Sequence, residues 1–120
     1  MKKLIIALFV LGIALPTFAG IKVKDVVGKW SYKVEIDYET LTGTLVFEKE
    51  GKELTGEVVT DDGQTFPMSN VEIRENNVLY FEIEVDYNLM ELTLTIEEKK
   101  YSGTIVADGG EIPITGEKIE

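Results

Sequence analysis

Side-chain character alternates with a period of two along most of the chain beyond Gly28. In "WSYKVEIDY", Trp30, Tyr32, Val34, Ile36 and Tyr38 fall on one face, and Ser31, Lys33, Glu35 and Asp37 on the other. "VLYFEIEVDY" repeats the scheme, with Leu79, Phe81, Ile83, Val85 and Tyr87 inward and Tyr80, Glu82, Glu84 and Asp86 outward. "MELTLTIEE" sets Met90, Leu92, Leu94 and Ile96 against Glu91, Thr93, Thr95 and Glu97. Successive side chains point to opposite faces only in an extended strand, so these segments are strands buried on one side. No segment beyond residue 20 sustains helical spacing over three turns. "IKVKDVV" before Gly28 has room for one helical turn or a lid.

Turn signals separate the alternating runs: "KEGKE", "DDG", "ENN", "EEKK" and "DGG". Glycine, asparagine and aspartate tolerate the positive φ that tight hairpins need. The spacing predicts strands over 28–38, 41–49, 53–60, 64–68, 71–74, 78–87, 89–97 and 100–107, with 111–118 as an optional ninth. The expected architecture is all-β, an antiparallel up-and-down barrel or barrel-like meander of about eight strands. Periodicity does not distinguish a closed barrel from a two-sheet sandwich. Gly43, Gly56 and Gly103 interrupt strands and mark bends, bulges or close backbone approaches. Pro67 and Pro113 have no N–H to give a ladder and belong at strand starts or edges.

The chain also resembles itself. "YKVEIDYETLTGTLVF" is similar to "YFEIEVDYNLMELTLTI", and "LTGEVVTDDGQTFPM" to "YSGTIVADGGEIPI", at an offset of about 46 to 49 residues. The similarity predicts two duplicated four-stranded halves. Neither could bury its apolar face alone.

The first nineteen residues read as a secretory signal peptide. Lys2 and Lys3 precede an apolar run over 4–15, Pro16 ends it, and Thr17-Phe18-Ala19 offers small residues before a cut. The run falls short of the roughly 20 apolar residues of a spanning helix. The expected organisation is a leader over 1–19 and a single domain over 20–120, exported to the periplasm or beyond by a bacterium, with no membrane anchor after cleavage. The absence of cysteine excludes a disulfide framework and a lipid-anchored N-terminus. Net charge is -10 for the whole chain and about -12 without the two leader lysines. Such a charge repels phosphate backbones and argues against nucleic acid.

The chain has no histidine and no cysteine, which removes serine–histidine and cysteine–histidine catalysis and the usual zinc, haem and iron–sulfur ligands. The abundant carboxylates alternate outward along strands, where a solvated face places them. The Asp-Gly turns offer too few oxygens for a calcium loop. No catalytic residue, metal or cofactor is expected. The aromatics are the more suggestive set. Trp30, Tyr32, Phe47, Phe81, Tyr87 and Tyr101 are the candidate lining of a small-molecule cavity; the alternative is that they fill the core.

"GKW" at Gly28–Trp30 resembles the Gly-x-Trp start of lipocalins and related calycin barrels, in which a late arginine packs over the tryptophan. Here the one arginine is Arg74, and the last strand carries Lys118. More broadly, "GKW…LTGTLVFEKEGKELTGEV…VLYFEIEV…YSGTIVADGGEIPITG" is similar to small lipocalin-like barrel domains of exported bacterial proteins, which are largely uncharacterised. The resemblance implies a barrel and brings no catalytic residues. The expected function is a non-enzymatic binding module for a small apolar or amphipathic ligand. The alternative is an interaction module for a protein or polysaccharide, acting through its outer surface or a strand edge.

Overall fold

A computed structural model describes residues 20–120, so the leader expected over 1–19 lies outside the described residues. A single helical turn, α1 (Val23–Val26), precedes nine strands: β1 (Gly28–Ile36), β2 (Glu39–Glu50), β3 (Glu53–Thr60), β4 (Thr65–Pro67), β5 (Ser69–Arg74), β6 (Val78–Val85), β7 (Asn88–Glu97), β8 (Lys100–Ala107) and β9 (Gly110–Glu117). All belong to one antiparallel sheet in the order β4-β3-β2-β1-β9-β8-β7-β6-β5. One sheet rather than two settles the choice between barrel and sandwich.

The expectation of about eight strands falls one short. β9, optional from the sequence, pairs with β8 along its whole length and with β1 at Lys33–Thr115 and Val34–Ile114. That pairing joins the first and second halves of the chain. The other join is covalent. β4 pairs with β3, β5 pairs with β6, and only Met68 lies between them. The Met68 N–H donates to the Gly56 carbonyl at 2.9 Å. The bent β4–β5 segment therefore bridges the two sheet edges and nearly closes the barrel. The self-similar segments occupy corresponding strands, β1–β4 and β6–β9, and β5 has no counterpart.

Alternation decides which residues face inward, and inward glycines decide how closely the walls approach. Tyr32 stands opposite Gly43, Phe47 opposite Gly56, Leu94 opposite Gly103 and Tyr101 opposite Gly116. Each glycine leaves space for the large side chain across the ladder. A Cβ on Gly43 would lie 2.5 Å from the Tyr32 ring, and one on Gly116 2.6 Å from the Tyr101 hydroxyl. A small barrel is filled by such alternation of large and small interior residues.

The two ends of the barrel differ. Trp30, Phe47, Leu54, Leu79, Phe81, Leu94, Ile96 and Tyr101 pack one end solid, and α1 closes it with the fully buried Val26. Trp30 Nε1 donates to the Val26 carbonyl at 2.9 Å, which ties the plug to the first strand. Trp30 meets Tyr101 edge to face at 6.0 Å, and Phe47 meets Phe81 at 5.7 Å. Lys118 lies 5.7 Å from the centre of the Trp30 ring and donates to the Asp25 carbonyl at 3.2 Å. It thus occupies the position that the Gly-x-Trp resemblance gives to an arginine. At the other end four turns, at 37–38, 61–64, 86–87 and 108–109, surround an open mouth.

Candidate functional site: an apolar cavity at the open end

The open half of the barrel encloses a cavity of about 190 Å³, bordered by residues of every strand except β5. Its lower wall is made by Val34, Leu45, Val58, Ile83, Leu92 and Ile114, all buried. Nearer the mouth stand Ile36, Leu41, Phe66, Val85, Met90 and Ile112. Larger hollows on the outside, around Glu97–Lys100 and between β3 and β5, are open to solvent and edged by lysine and glutamate.

Two lining residues carry a polar side-chain atom, Tyr32 and Thr60. The Thr60 hydroxyl donates to the Asp62 carboxylate, and Thr42 donates to Asp61. The hydrogen bond from Thr60 holds the Asp62 carboxyl below its usual pKa, so it stays ionised. The Tyr32 hydroxyl has no hydrogen-bond partner among the described residues. Burial, and then the charges of Asp61 and Asp62, raise its pKa. Tyr32, Thr60, Asp61 and Asp62 thus form one polar corner on an otherwise apolar cavity.

Pro113 helps keep the mouth open. β1 and β9 are hydrogen-bonded only as far as Val34–Ile114. The next pair would be Glu35 with Pro113, and proline has no N–H to extend the ladder. Beyond that point Ile36 and Ile112 border the cavity instead of pairing. The expectation that Pro113 lies at a strand start or edge is thus met in part: β8 pairs with it normally, and the β1 side ends beside it.

Of the six aromatic residues expected to line a cavity, the structure brings only Tyr32 to it. Trp30, Phe47, Phe81 and Tyr101 are buried in the solid end and do not border the cavity. Tyr87 is 97% exposed. It sits with Asp86 in a two-residue turn at φ 66° and 52°, as Tyr38 and Asp37 do at φ 69° and 47°. The alternation reads as continuous through each turn, yet the strands end at Ile36 and Val85, so Tyr38 and Tyr87 project into solvent. The aliphatic lining is not legible in the sequence, because isoleucine, leucine and valine at inward positions look the same whether they fill a core or border a space. Pro113 was the one available signal.

No family model matches the chain, and no curated protein is similar to it. Solved structures do share its architecture. The redesigned β-barrel b11L5F_LGL superposes with a TM-score of 0.63 at 13% identity, over 85% of this chain and 100% of its own. The redesigned barrel mFAP1, bound to DFHBI, gives 0.59 at 10% identity, over 81% and 97%. A fluorescence-activating β-barrel of de novo design gives 0.57 at 15% identity, over 81% and 96%. At these identities the likeness is one of fold: an antiparallel, up-and-down, nearly closed β-barrel.

Proposed function

We propose that the protein is a non-enzymatic binding module for a small apolar or amphipathic molecule, exported after loss of its leader. The observation that carries this reading is the apolar cavity of about 190 Å³, entered through a mouth that β1 and β9 do not close. Apolar residues make up all of its lining except Tyr32 and Thr60, so an apolar ligand buries surface there without stranding polar groups. A neighbour in fold, mFAP1, is a barrel bound to a small molecule, DFHBI, which supports small-ligand binding by this architecture. The matched strands and turns of the two halves support descent from a duplicated four-strand unit.

A second reading rests on the rim. Tyr38, Tyr87, Leu41 and Leu89 are exposed on the β1–β2 and β6–β7 hairpins beside the mouth, and suit contact with a protein partner. Native mass spectrometry of the protein purified from its own host separates the two. A co-purifying small molecule that leaves on denaturation supports the cavity. A bare mass, with no NMR response of the cavity methyls to one-ring apolar compounds, overturns it and turns attention to the rim.

A further inference from the structure

The cavity is small, and that narrows its occupant. An engineered apolar cavity of about 150 Å³ accepts benzene. The space of about 190 Å³ therefore takes one ring with a short substituent, and any longer group must leave through the mouth.

Charge at that mouth is one-sided. Each of the four turns around it carries aspartate: Asp37, the pair Asp61 and Asp62, Asp86 and Asp108. Of the basic residues described, only Lys33 stands on the wall of the barrel; all others lie on or just before α1 or on strand ends and turns at the closed end. Turn chemistry explains an aspartate at 37 and 86, where φ is positive. It does not explain the absence of any cation among these turns. The polar corner makes the asymmetry local to the cavity. Thr60 lines the space and holds Asp62, Asp61 is held next to it by the outward-facing Thr42, opposite Lys33, and the Tyr32 hydroxyl is left as a free acceptor.

Given the binding role proposed above, we infer that the ligand is an amphipathic cation. Its single apolar ring fills the cavity, and its amine lies at the mouth against Asp61 and Asp62, within reach of the Tyr32 hydroxyl. Among the described residues Lys33 makes no ion pair with either aspartate, and an ammonium group supplies the donors and the paired positive charge. A carboxylate-bearing ligand of the same shape meets two like charges there. The raised pKa of Tyr32 fits the same picture, since those carboxylates also disfavour a phenolate.

Three probes of similar shape test the inference on the intact protein: 2-phenylethylammonium, 2-phenylethanol and 3-phenylpropanoate. Binding is followed by NMR shifts of the Val34, Ile105, Ile112 and Ile114 methyls. The cation is expected to bind about tenfold more tightly than the alcohol, and the anion more weakly than either. In the double variant Asp61→Asn/Asp62→Asn the advantage of the cation falls below about threefold while the alcohol binds as before. Should that variant fail to fold, raising salt from about 0.02 M to 0.5 M with the unaltered protein serves instead. It is expected to erode the cation's advantage and leave the alcohol's affinity in place. Equal binding of cation and alcohol, or a preference for the anion, overturns the inference and leaves the apolar cavity reading intact. Failure of all three probes to bind overturns both.

Discussion

At the scale of single residues, several side chains accept unfavourable local situations that the barrel enforces. Tyr38 and Tyr87 sit at positive φ, where an L-residue costs about 1–2 kcal/mol relative to the right-handed region. Tyr38→Gly is therefore expected to raise stability by up to about 1 kcal/mol in urea denaturation, part of the gain being offset by glycine's greater unfolded-state entropy. On the outer face, Glu82 stands directly opposite Glu91 across the β6–β7 ladder. Like charges so placed repel. The Tyr80 hydroxyl relieves this by contacting Glu82 at 2.5 Å and Glu91 at 2.9 Å, and Asn70 donates to Glu82 at 2.7 Å. Arg74 lies 3.9 Å above the Tyr80 ring and covers it. Tyr80 thus points outward as the alternation requires and is buried all the same. The hydrogen bond to Glu82 is the main cause raising the Tyr80 pKa, and burial is the main cause raising that of Tyr101. Both values lie above the unfolded-state tyrosine pKa of 10.0. Their contribution is complete below that pH and is lost as pH rises through the folded values. Glu82 is shifted down, chiefly by Tyr80, so its contribution is present above 4.5 and lost as pH falls through its folded value. Stability is expected to fall on both the alkaline and acid sides of a plateau between these limits. Tyr80→Phe should flatten both limbs; unchanged limbs in pH-dependent denaturation would contradict the role given to this hydroxyl.

At the scale of elements, the plug and the splayed ladder are the parts that make one end of the barrel unlike the other. Four residues are too few for a helix stable by itself. α1 is held because Val26 is fully buried and its carbonyl accepts from Trp30. Trp30→Phe keeps much of the apolar bulk but leaves that carbonyl without its partner. A loss of about 1–3 kcal/mol is expected, with faster amide exchange in α1 than in the strands. Pro113 acts in the opposite sense, by preventing structure. Pro113→Thr restores a donor beside Glu35 and is expected to extend the β1–β9 ladder towards the mouth. Hydrogen exchange would then show a newly protected amide at residue 113. No protection there, with the fold unchanged, would mean that the divergence of β1 and β9 has another cause.

At the scale of the whole molecule, the barrel is divided across its axis into a filled half and a hollow half. The division follows from where the bulky rings fall. Trp30, Phe47, Phe81 and Tyr101 all lie towards the plugged end, while the open half is lined mainly by aliphatic residues. Ile105→Phe adds volume to the cavity wall. It is expected to raise thermal stability by about 1 kcal/mol if the ring fits the space, and to abolish binding of one-ring ligands. Stability and binding that both stay at their original values would show that the added ring turns away from the cavity.

The sequence by itself determined the all-β class, which faces of the strands turn inward, and the hairpins marked by glycine, asparagine or charged turn residues, though not those at 37–38 and 86–87. These are local matters, set by a two-residue period and by turn chemistry. That Lys118 lies over Trp30, where the Gly-x-Trp resemblance implies an arginine, came from the tertiary structure. Only the tertiary structure decided that β9 joins β1, that β4 and β5 bridge the sheet edges, and that Tyr87 points to solvent. It alone placed Trp30, Phe47, Phe81 and Tyr101 in the filled half while aliphatic residues line the space in the other. The reason is physical. Inward orientation depends on a residue's own strand, whereas filled or empty space depends on what stands opposite, several strands away around the barrel.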